Sequence, residues 1–165
     1  MKIVKIVLWI ICVTAVQTVF GNSLGILGTM PDLLLAFAVI FAICERDIFT
    51  SGVVMLVCGI TDASSVGHLF PAALLGVVCA GLVSHGANSM LRYIPGFIKA
   101  FFITAAAAFV IGAAEYFTSH LTMSVQCIFE NILPYTVYTV IGEFIMYPLL
   151  KHTLFPGKDK SLIIG

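Results

Sequence analysis

The sequence predicts an all-α integral membrane protein, a compact bundle of six transmembrane helices forming a single domain over residues 1–165. Three observations predict it. Hydrophobic residues make up 61% of the chain, only 10% are charged and the mean hydropathy is +1.13, against about 25% charged in an average soluble domain. Apolar residues gather into six segments, approximately 3–20, 33–44, 48–60, 69–84, 97–117 and 132–150. Lysines and arginines occupy only alternate connections between those segments.

The first segment has Lys2 and Lys5 at its start and is long enough to cross a hydrocarbon core, which takes about 20 residues. A secretory signal is a rival reading, with the two lysines as its basic start and Val19-Phe20-Gly21 near a cleavage point. Cleavage would remove a crossing that the alternation of basic residues needs. The second segment opens after Thr29-Met30-Pro31-Asp32, which places Pro31 in the first helical turn and Asp32 near the positive end of the helix dipole. The second and third segments are short, so they either cross where neighbours or a thin bilayer make up the length, or form a re-entrant hairpin. Ala72, Gly76, Ala80 and Ser84 on the fourth segment, and Thr104, Ala108 and Gly112 on the fifth, repeat small residues every fourth position. Such stripes let helix backbones approach closely, within the bundle or against another membrane protein, and make Gly76 and Ala80 interaction candidates. The sixth segment carries Glu143 and leads to a cytoplasmic tail over 151–165.

All eight basic residues obey one rule. Lys2 and Lys5 lie at the start of segment one, Arg46 between two and three, Arg92 and Lys99 around the junction of four and five, and Lys151, Lys158 and Lys160 follow six. The connections 21–30, 61–68 and 118–131 contain none. That is the positive-inside pattern for six crossings with both termini in the cytoplasm.

Charge balance excludes some functions. Eight basic residues match eight acidic ones, so there is no basic surface for nucleic acid, and partners are expected in or near the bilayer, including membrane lipid. The five cysteines form no C-x-x-C pair, and neither a metal site nor a cofactor is expected. Asp62 closes an outward-running segment, at the negative end of its own helix dipole; hydroxyls of Thr61, Ser64 and Ser65 or the imidazole of His68 are candidate compensators, and a contact at the outer face is the alternative. Glu143 is the deepest charge, with Tyr135, Tyr138 and Tyr147 on its own segment as candidate donors. No catalytic residue is expected. Ser64-Ser65-Val66-Gly67-His68 has the serine, glycine and histidine of membrane phosphatases, but Arg46 and Arg92 lie on the opposite side from it.

The order of motifs resembles the rod shape-determining protein MreD family. The matching residues are Ala15-Val16-Gln17-Thr18 closing segment one, Pro31-Asp32-Leu33-Leu34-Leu35 opening segment two, Gly52 and Gly59, then Asp62 and Gly67, and the ending Gly142-Glu143-Phe144-Ile145-Met146-Tyr147-Pro148-Leu149-Leu150. The resemblance implies a non-enzymatic component of the bacterial elongation complex in the cytoplasmic membrane. Its partner would be the bitopic scaffold MreC, and through it MreB filaments, the RodA glycosyltransferase and a penicillin-binding transpeptidase. It also implies a fold similar to the substrate-binding subunits of energy-coupling-factor transporters. A small-ligand-binding subunit of such a transporter is accordingly the rival function, and a small membrane enzyme the third.

Overall fold

The computed structural model describes residues 2–24, 30–65, 70–91, 93–120, 126 and 128–156. Among the described residues the secondary structure is helical: α1 (Lys2–Leu24), α2 (Leu33–Cys44), α3 (Ile48–Ser65), α4 (Phe70–Met90), α5 (Gly96–His120) and, after a π-helical turn at Ile128–Ile132, α6 (Leu133–Leu154). Three helices are long and apolar enough to cross a membrane, over Lys2–Val19, Gly96–Thr118 and Ile128–Leu154. Three shorter apolar helices cover Leu33–Cys44, Ile48–Ser64 and Ala73–Asn88.

The long helices expose their apolar side chains. Val7, Leu8 and Ile11 on α1, Phe102 and Val110 on α5, and Ile141, Ile145 and Leu149 on α6 all face outward. In water such a surface would aggregate; in lipid it is solvated, which fits a membrane protein.

Helix α2 is the opposite case and forms the axis of the molecule. Every residue from Leu34 to Ala42 is buried at 0 or 1% exposure, and α2 touches all five other helices. Phe37 and Phe41 stack with ring centroids 6.1 Å apart, and Phe155 closes over Phe41 at 5.6 Å. An apolar run on every face is what a fully enclosed helix requires.

Successive helices run in opposite directions. Gly59 on α3 lies against Leu74 on α4, so near that an added Cβ would sit 3.1 Å from the Leu74 Cα. A Cβ on Gly76 would overlap Ile111 of α5, which turns that part of the α4 stripe toward α5 rather than outward. Phe97 and Phe101 of α5 meet Phe144 of α6 edge to face at 4.6 and 6.0 Å.

Several helix ends differ from the sequence expectation: α1 runs to Leu24, α4 to Met90 and α6 to Leu154, each beyond its apolar segment. Helix α3 continues past residue 60 to Ser65, because the polar Thr61 and Ser64 hydroxyls bond back to carbonyls of Val57 and Thr61 within the helix instead of ending it. Pro31 precedes the N-cap rather than occupying the first turn, since Asp32 itself is the N-cap of α2.

Candidate functional site

A helix of 12 residues is about 18 Å long, and α2 is buried from Leu34 to Ala42 with half-buried residues at both ends. The first N–H groups and last C=O groups of any helix lack partners within it, and each left unpaired in an enclosed site costs about 1–3 kcal/mol. The polar residues of this chain answer that demand at both ends.

At the start of α2, the side-chain oxygen of Gln17, on α1, accepts from the N–H groups of Leu33 and Leu34, each at 3.1 Å. Asp32 Oδ1 accepts from Leu35 N–H at 2.7 Å, and the Asp32 carbonyl accepts from Ala36 N–H at 3.3 Å. Four consecutive donors are thereby satisfied. The N–H of Asp32 donates to Thr139 Oγ1 at 3.0 Å, and Tyr135 Oη donates to Asp32 Oδ2 at 3.0 Å, which ties the cap to α6. Gln17 has its amide oriented by Asp62: Nε2 donates to Asp62 Oδ1 at 2.8 Å. Gln17, Asp32, Asp62, Tyr135 and Thr139 are all buried.

The other end is closed in the same manner. Asn88 Nδ2, on α4, donates to the Ile43 carbonyl at 2.6 Å and reaches that of Ala42 at 3.5 Å. Lys99 Nζ, on α5, donates to Asn88 Oδ1 at 3.0 Å, holding the amide in that orientation and setting a cation at the negative end of the α2 dipole. Glu45 N–H donates to the Phe41 carbonyl at 2.8 Å, while its carboxylate pairs with Lys2. Lys5 donates to the Thr153 carbonyl at 3.4 Å. Lys2, Lys5 and Lys99 thus contact the Asn88 end of the bundle, and Arg46 adjoins Glu45 there.

No family model, curated protein or solved structure matches this chain.

Asp32 is itself the N-cap of α2, whereas the Thr29–Asp32 capping-box spacing with Pro31 in the first turn predicts it inside the helix. Asp62 lies in the last turns of α3 at 0% exposure and accepts from Gln17, 45 residues away, while the Thr61 and Ser64 hydroxyls donate to carbonyls of their own helix. The two aspartates, which sequence reading treats as separate cases, share one network through Gln17. His68 lies outside the described residues. Gly76 packs on Ile111, and Ala80 is buried at 5% exposure with its carbonyl accepting from Ser84 Oγ at 2.7 Å.

Glu143 stands apart from both caps. It is buried at 1% exposure, and the expected tyrosine donors do not serve it, since Tyr135 bonds to Asp32 instead. Thr104 Oγ1, on α5 and likewise buried, and both Glu143 oxygens have no hydrogen-bond partner among the described residues. A buried acid in that condition lowers stability.

Sequence reasoning missed Gln17 and Asn88 as site residues. Each is an amide near the end of an apolar segment, and an amide offers both a donor and acceptors, which a helix end and a charged neighbour together require.

Proposed function

We propose that this chain is a non-enzymatic, six-crossing membrane component of the bacterial elongation complex, acting in cell-shape maintenance as an MreD-like protein that binds an MreC-like bitopic scaffold. The observation that carries the reading is the convergence of the stretches that resemble MreD. Gln17, Asp32 and Asp62 are distant in sequence and joined by hydrogen bonds at the start of α2. Gly142, from the last such stretch, packs so closely on Leu33 that an added Cβ would overlap it. Motifs that build one structural feature are expected to occur together in a family.

The six-crossing arrangement is supported by the alternating helix directions and by the basic contacts at the Asn88 end, which the positive-inside rule assigns to the cytoplasm. Side chains satisfy the Leu33, Leu34 and Leu35 N–H groups of α2 and cover the Ala42 and Ile43 carbonyls at its end, which suits a short helix lying within the depth of the bilayer. In this reading the polar residues hold the fold, and the protein acts through what it assembles.

The test is affinity purification of the full-length protein in mild detergent, with identification of co-purifying proteins. MreC-like, RodA-like or penicillin-binding proteins are expected, and depletion from a rod-shaped host should round the cells. Co-purification of transporter ATPases with normal cell shape would reject the proposal in favour of a small-ligand-binding transporter subunit.

A further inference from the structure

We propose that the cleft between the start of α1 and the end of α6 binds the phosphate headgroup of an anionic phospholipid. The cleft is lined by Lys5, Leu8, Trp9, His152, Thr153 and Pro156 and has a volume of about 420 Å³, within the ~300–1,000 Å³ range of small-ligand clefts.

Its chemistry divides into a charged part and an apolar part. Lys5 is exposed and has three N–H donors, of which one is engaged, in the long 3.4 Å bond to the Thr153 carbonyl. His152 is exposed beside it and contributes a second nitrogen-rich group. Among the described residues no acidic side chain lines the cleft, and the buried carboxylate of Glu45 at this end is occupied by Lys2. The carbonyl end of α6 would repel an anion, but Lys5 covers Thr153 O and Trp9 Nε1 donates to Thr153 Oγ1 at 3.0 Å.

Leu8, 59% exposed, and Pro156 complete the wall with apolar surface. A free phosphate ion gains nothing from that surface, whereas a phospholipid lays its glycerol and upper acyl chain there. Indole rings settle at headgroup depth, and basic pockets between membrane helices hold anionic headgroups. Trp9 marks that depth here. The inference needs only that α1 lies in a bilayer, so it stands or falls separately from the identity of any protein partner.

Trp9 is the single tryptophan of the chain and reports on the cleft directly. The full-length protein is reconstituted in mixed phosphatidylcholine and phosphatidylglycerol vesicles, with either lipid carrying brominated acyl chains that quench indole fluorescence. Brominated phosphatidylglycerol should quench Trp9 with an apparent preference of about fivefold over brominated phosphatidylcholine at equal mole fraction. The preference should vanish in the double variant Lys5→Gln, His152→Gln and persist in Arg46→Gln, which removes a charge from the same end outside the cleft. Equal quenching of the wild-type protein by both lipids overturns the proposal, even if the double variant fails to reconstitute. Loss of the preference in Arg46→Gln overturns it in favour of general surface charge, and abolition by millimolar inorganic phosphate overturns the lipid as occupant.

Discussion

Replacing Gln17 by leucine removes three hydrogen bonds with one side chain. The amide accepts from Leu33 and Leu34 N–H and donates to Asp62 Oδ1, at a position only 3% exposed. Leucine fills similar space, so packing is roughly conserved and the loss is polar. Two backbone donors and one acidic acceptor lose a partner at about 1–3 kcal/mol each. Partial relaxation near the half-buried Leu33 reduces the total to about 3–6 kcal/mol, a large share of the ~5–15 kcal/mol that holds a typical domain. At about 2–4 °C per kcal/mol, the melting temperature should fall by on the order of 10 °C. The assay is the fraction remaining monodisperse on size exclusion after heating in detergent. A Gln17→Leu protein as heat-resistant as wild type would refute the claim that Gln17 closes α2.

The opposite cap should behave likewise. Asn88→Leu leaves the Ile43 carbonyl and the Lys99 ammonium without their mutual bridge, and the same heating assay should show a loss of about 2–4 kcal/mol. Glu143→Met replaces an unpartnered buried acid with an apolar side chain of similar size, so it should raise thermal stability by about 1–3 kcal/mol; a decrease would show that the carboxyl holds the fold. Asp47 lies outside the spanning segments, and the Thr50 hydroxyl and then the Thr50 N–H hold its carboxyl below the ordinary aspartate range. Because the folded value is the lower one, the cap's contribution is full above the unfolded value and is lost as pH falls through the folded one. Protection of the Phe49 and Thr50 N–H groups, relative to intrinsic exchange at each pH, should fall over that acidic window in wild type and be low at every pH in Asp47→Ala.

Much of this architecture is legible without coordinates, and the reasons differ by residue. The bounds of α2 at 33–44 follow from Asp32 before an unbroken apolar run and Glu45 after it, both local signals. The end of α3 is obscured because Thr61, Asp62, Ser64 and Ser65 look like a loop, whereas in the fold the Thr61 and Ser64 hydroxyls bond within the helix and Asp62 Oδ1 accepts from Gln17 on α1. Partners 45 residues apart leave no periodic trace in a single sequence. The apparent anomaly of a carboxylate at the wrong end of a helix dipole was nevertheless a correct pointer, since it demanded a donor and one exists. Asn88 gave a weaker signal, sitting among the small and polar residues of Ser84-His85-Gly86-Ala87-Asn88, with nothing local to show that it faces the carbonyls of α2.

The central claim is that Gln17 and Asp62 act as one unit that closes the start of α2, and exchanging their chemistry tests it most directly. Gln17→Glu alone sets two carboxylates where one 2.8 Å hydrogen bond stood, and should give little folded protein. Adding Asp62→Asn returns a donor at position 62, while the new carboxylate at position 17 still accepts from Leu33 and Leu34 N–H at the positive end of the α2 dipole. The double variant should therefore recover most of the heat resistance that Gln17→Glu loses. Additive losses in the double variant, with no recovery, would contradict the account.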